Sequence, residues 1–100
     1  MRCRGRGIFG FALIAMSHKT TADFWELYNQ LPLPVRRTAD KNYELLKADL
    51  RHPSLHFKEV HAGMWSVRVG VGYRALATFE DGIYNWFWIG SHAEYNRLIS

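Results

Sequence analysis

One hundred residues with 48% hydrophobic and 15% aromatic side chains make one small domain with enough apolar mass for one core. The lone Cys3 excludes an intrachain disulfide and fits a reducing cytoplasm, and no apolar run reaches the ~18 residues of a membrane-spanning helix. The formal charge of +4 is concentrated in Arg2, Arg4 and Arg6; from Met16 onward ten Lys/Arg face nine Asp/Glu, so overall charge says little about partners.

The first fifteen residues differ from the rest. Arginines alternate with Cys3, Gly5 and Gly7, then Ile8 to Ala15 is almost wholly apolar. Met16 offers a translation start that makes residues 1–15 a non-native leader; a disordered tail or extra strand, and an export signal, are the alternatives. Residues 16–100 are expected to form the single domain. Thr20 and Asp23 stand at capping-box spacing, and Phe24, Leu27, Tyr28 and Leu31 recur at helical intervals, which predicts a first helix. Pro32 and Pro34 end it and open a second, with Val35, Ala39, Tyr43, Leu46 and Leu50 on one stripe. His52-Pro53 stops that helix, and a helical hairpin results.

The second half reads as β. Short strands are expected over Leu55–Val60, Met64–Val71, Tyr73–Phe79 and Ile83–Ile89, joined by Gly70-Val71-Gly72 and Asp81-Gly82 turns. Ser91 and Glu94 form a second capping box before a terminal helix with Tyr95, Leu98 and Ile99. The expected class is α+β: an N-terminal helical hairpin on a four-stranded antiparallel sheet, with a short C-terminal helix.

Between Arg51 and Arg74 lie four cations against Glu59 alone, with His52, His56 and His61 interleaved. Such a strip suits a polyanion or is a solvated surface. Arg68 lies opposite in phase to Val67 and Val69, where a guanidinium can clamp a phosphate in two-point contact or reach water. Arg74 opens the next strand and either serves the same pocket or pairs with Glu80; Lys58 on the early strand is a weaker candidate. His92 occupies the first helical position after Ser91. There the helix dipole disfavours imidazolium and a bound phosphate favours it, which suits acid–base work. Tyr95 lies on the same helix face; the plainer reading is a solvent-facing histidine beside a core tyrosine.

The three histidines have zinc-like spacings, but Pro53 interrupts any common helix face and no cysteine is near, so no metal is expected. Gly70-Val71-Gly72 lacks the helix and third glycine of a dinucleotide-binding loop. Trp65, Trp86 and Trp88 read as core.

Phe57-Lys58, Trp65 to Val69, Gly72-Tyr73-Arg74-Ala75-Leu76 and Trp86 to Tyr95, in this order after two helices, resemble the RelE/ParE superfamily of type II toxins, most nearly its small HigB/RelE-like members. The resemblance runs from about Ser17 to the end. It implies a toxin paired with a cognate antitoxin, and for RelE-like members an mRNA endoribonuclease (mRNA interferase) that acts at the ribosome, binds RNA and inhibits translation. In that reaction the 2′-hydroxyl attacks the adjacent phosphate and the 5′-oxygen leaves, with no cofactor. The family's site positions fall on Arg68, Arg74, His92, Tyr95 and Lys58. His92 is then the general acid or base, Arg68 the phosphate stabiliser and Tyr95 a base-stacking or 2′-hydroxyl contact. Arg74 and Lys58 bind substrate. ParE members share the fold, lack the nuclease residues and inhibit DNA gyrase by protein binding, which is the alternative, with an inactive antitoxin-binding protein as a third reading.

Overall fold

The structure is a computed structural model that describes residues 17–100; the reading of residues 1–15 lies outside these residues. The chain runs β1 (Ser17–Thr20), α1 (Ala22–Asn29), α2 (Leu33–Ala48), a 3₁₀ turn (Pro53–Leu55), β2 (Lys58–His61), β3 (Met64–Val69), β4 (Tyr73–Glu80), β5 (Ile83–Ser91) and α3 (His92–Ile99).

The strands form one sheet in the order β1-β5-β4-β3-β2, so the expected four-stranded antiparallel sheet is corrected to five strands. The added strand, Ser-His-Lys-Thr, has no run of apolar alternation to reveal it. It exists because its backbone pairs in parallel with β5, from Ser17 opposite Ile83 to Thr20 opposite Trp86. That pairing also moves the first helix cap by one residue. Thr20 belongs to β1, and Thr21 caps α1 by accepting from the Phe24 N–H at 3.2 Å.

Two more boundaries shift for local reasons. Leu55, expected in a strand, sits in the 3₁₀ turn at 0% exposure, where a short turn buries it completely. Met64–Val71 stops at Val69, because Gly70 turns left-handed at φ 65°. Asp81 and Gly82, at φ 54° and 78°, make the expected tight hairpin with both central residues left-handed.

Helices α1 and α2 cover one face of the sheet. Phe24, Leu27, Tyr28, Val35, Ala39, Tyr43 and Leu46 meet Val67, Val69, Ala75, Ala77, Trp86 and Ile89 there. A bulge in β5 at Phe87 lets Trp86 and Ile89, three residues apart, share this face, since Ala77 pairs with Trp86 and Leu76 with Trp88. That register explains why β5 is apolar without strict alternation. Of the tryptophans expected in the core, Trp86 is in it at 3% exposure. Trp65 packs against it, stacked on Phe57 (4.8 Å between centroids) with Tyr84 edge-on to both. Trp88 instead lies half-buried on the opposite sheet face, because the bulge reverses its phase.

β1 is tied to this core through His18. Its ring stacks on Tyr84 at 5.3 Å and Trp86 at 6.3 Å, and the Trp86 indole N–H donates to its Nδ1 at 3.2 Å. An indole nitrogen only donates, so the His18 proton is on Nε2. Burial, helped by Lys47, lowers the His18 pKa below the usual 6.5. Between the lowered value and 6.5 the unfolded chain binds more protons than the folded one, so the His18 contribution is complete above pH 6.5 and is lost as pH falls below it. Melting temperatures between pH 7.5 and 5.5 are expected to fall less steeply for His18→Phe than for the natural chain.

Candidate functional site

The opposite sheet face carries the polar chemistry. Because side chains alternate, residues paired across strands share a face. Lys58 pairs with Ser66, Ser66 with Leu76, Arg68 with Arg74, Arg74 with Gly90, and Leu76 with Trp88. The register thus puts Lys58, Ser66, Arg68 and Arg74 together on the side away from α1 and α2. Helix α3 lies on β4 and β5 and brings His92 and Tyr95 to them.

α3 is held at its start by the expected capping box. The Ser91 Oγ accepts from the Glu94 N–H, and Glu94 Oε1 accepts from the Ser91 N–H, each at 3.2 Å. The His92 N–H donates to the Gly72 carbonyl at 2.8 Å, joining the helix to the β3–β4 turn. The His92 ring, exposed, lies 5.7 Å from the Tyr95 ring at 28°. Arg74 places its guanidinium 5.2 Å from the Tyr95 centroid and donates to Ser66 Oγ at 3.3 Å, not to Glu80. His92, Tyr95, Arg74 and Ser66 therefore form one chain of contacts across α3, β4 and β3.

Arg68 faces Arg74 directly across the β3–β4 pair. Like charges in this position repel, yet neither makes an ion pair: among the described residues the salt bridge is Lys47–Glu44. Both take neutral acceptors. Arg68 Nε donates to the Gly70 carbonyl at 3.0 Å and one terminal nitrogen lies 3.5 Å from His56 Nε2. The register opposes the two residues while their heads reach different neighbours. With no carboxylate paired to either among the described residues, the face keeps positive charge that an anion can neutralise.

Tyr95 is 3% exposed, and its hydroxyl is buried without a hydrogen-bond partner among the described residues. A base cannot stack on this ring without movement of α3; what the ring does here is support Arg74 and His92. A buried hydroxyl without a partner costs about 1–3 kcal/mol. Tyr95→Phe is therefore expected to leave the melting temperature unchanged or raise it, as thermal denaturation will read.

Three residues outside the sequence's site candidates join the site. His56, left-handed at φ 46°, closes the 3₁₀ turn and reaches Arg68. Ser66, 0% exposed, anchors Arg74. Asn42 on α2 donates to the Arg68 carbonyl at 3.0 Å from across the sheet. Ser66 and His56 had a signal, Ser66 in sharing strand phase with Arg68 and His56 in lying within the cationic strip; Asn42 had none. Of the other histidines, His52 accepts from the Ser54 N–H at 3.3 Å and His61 contacts the Ile99 carbonyl at 3.1 Å. No three His, Cys, Asp or Glu side chains gather to hold a metal ion among the described residues, and no helix there is long and apolar enough to cross a membrane.

The fold is shared with solved toxin structures. A chain of the RelB-RelE antitoxin-toxin complex from Methanococcus jannaschii matches with a TM-score of 0.67 at 13% identity, over 82% of this chain and 99% of that one. The YoeB/ParE toxin from Agrobacterium tumefaciens matches at 0.61 and 15%, over 77% and 99%. YafQ from E. coli matches at 0.61 and 11%, over 80% and 97%. A search of curated proteins finds no match. Residues 33–97, which contain α2, the antiparallel strands and every site residue described above, match the ParE-like toxin domain, and the chain belongs to that family.

Proposed function

We propose that this chain is the toxin of a type II toxin–antitoxin pair and that it cuts mRNA at the ribosome. The observation that carries the reading is the pair Arg68 and Arg74, opposed across β3–β4 with no acidic partner among the described residues, with His56 3.5 Å from Arg68 and the Tyr95 ring between Arg74 and His92.

Cleavage needs a proton taken from the 2′-hydroxyl as it attacks phosphorus, charge neutralised on the phosphoryl oxygens, and a proton given to the departing 5′-oxygen. The products are a 2′,3′-cyclic phosphate and a free 5′-hydroxyl. Arg68, with its Nε already bonded to Gly70, keeps terminal N–H groups for a phosphoryl oxygen. Arg74 adds charge from the neighbouring strand, and exposed Lys58 extends the cationic surface along β2. His92 moves one of the two protons, and His56, 3.5 Å from Arg68, is placed to move the other. Tyr95 acts through its ring by positioning Arg74 and His92.

A ParE-type gyrase inhibitor is the second reading, favoured by the family to which residues 33–97 belong. Primer extension on cellular mRNA after brief induction separates the two. Nuclease action gives new 5′ ends within minutes; gyrase inhibition gives intact mRNA with induction of the DNA-damage response. Tyr95→Phe adds a finer test: it keeps cleavage if the ring positions Arg74, and loses it if the hydroxyl meets the 2′-oxygen.

The expected partner is a cognate antitoxin, in line with the RelB-RelE complexes from Methanococcus jannaschii and Pyrococcus horikoshii that share the fold.

A further inference from the structure

Val71 is the most exposed large apolar residue among those described, at 92%. A single exposed valine is ordinarily unremarked, and a turn tip is ordinarily among the more mobile parts of a domain. This tip is held from three directions. Arg68 Nε donates to the Gly70 carbonyl at 3.0 Å on one side of Val71, and the His92 N–H donates to the Gly72 carbonyl at 2.8 Å on the other. From α2, the Asn42 side-chain N–H fixes the Arg68 carbonyl just before the turn at 3.0 Å. Bracing spent on a surface turn sets the position of what the turn carries, and what it carries is one isopropyl group between the two residues that frame the cationic site.

We infer that Val71 is a substrate-contacting residue: it packs against the ribose or base next to the phosphate held by Arg68, as an apolar contact beside a charged one. Such a contact makes no hydrogen bond to a base edge, so it contributes affinity and placement with little choice of sequence. The glycines on both sides, Gly70 left-handed and Gly72 with open space around it, let a nucleotide approach the backbone closely. The inference rests on the nuclease reading, and its test keeps the two separable.

The test is single-turnover cleavage of a short mRNA set on purified 70S ribosomes with an empty A site, at subsaturating concentrations of the full chain. Val71→Ser is expected to cut about fivefold more slowly, the scale of one partly buried valine contact. Val71→Ile is expected to stay within about twofold, and both variants to melt with the natural chain because the residue is exposed. Full-rate cleavage by Val71→Ser, with Arg68→Ala strongly impaired, overturns the inference and leaves the nuclease reading standing. Absence of cleavage by the natural chain overturns both.

Discussion

Replacing His92 by Ala is expected to lower mRNA cleavage by about 10²- to 10⁴-fold, the usual worth of a positioned proton-transfer group. Arg68→Ala is expected to cost about 10²- to 10³-fold, as does loss of one preorganised donor to a developing negative charge. Neither change should unfold the protein. His92 is exposed, and the contact it makes to Gly72 uses its backbone N–H, which alanine retains. Arg68→Ala also relieves a like-charge opposition to Arg74. The measurement is growth after induction together with primer extension, with thermal melts as the control. If both variants fold, accumulate and remain as toxic as the natural chain, His92 and Arg68 have no part in the toxicity. Arg68→Lys makes the test sharper. It keeps the charge but loses the planar fork, so partial activity is expected in place of full rescue.

The largest expected loss of stability from one methyl group is at Gly90. A Cβ there would lie 2.5 Å from Trp88 Cζ2, 2.9 Å from its Cη2 and 3.1 Å from Glu94 Oε1. The glycine is buried beneath the half-buried Trp88 indole, so a methyl group there forces the ring to swing aside from its packed position. Overpacking of this kind costs about 1–3 kcal/mol. The displaced Glu94 carboxylate also accepts from the Ser91 N–H and Oγ, so the capping box loosens for about 1 kcal/mol more. For a domain of this size, each kcal/mol moves the melting temperature by about 4–8 °C. Gly90→Ala should therefore melt at least several degrees lower, and cleavage should fall with it because α3 carries His92. An unchanged melting temperature would mean that Trp88 has another place to go.

Particular residues show what could be read without coordinates. The capping box of Ser91 and Glu94, the left-handed Asp81-Gly82 turn and the proline break between α1 and α2 all depend on groups within a few residues of one another, so their chemistry is written locally. Strand phase was equally legible: period two puts Arg68 on the face opposite Val67 and Val69, as observed. Of the residues proposed from the sequence, Lys58, Arg68 and Arg74 share a sheet face by register, and His92 and Tyr95 come beside Arg74 on α3. Thr20 misled because two adjacent threonines can each cap a helix, and only the pairing of β1 decides between them.

By itself, then, the sequence determined the helices, the antiparallel hairpins, the capped C-terminal helix and which face the residues of β3 take, because these follow from interactions among near neighbours. The tertiary structure alone decided the fifth strand, the register that opposes Arg68 to Arg74, the bulge at Phe87, and the arrival of His56, Ser66 and Asn42 at the two arginines. Those features rest on contacts between segments distant in the chain. Their stability comes from backbone pairing and shared burial, and neither leaves a signature in any short stretch of residues.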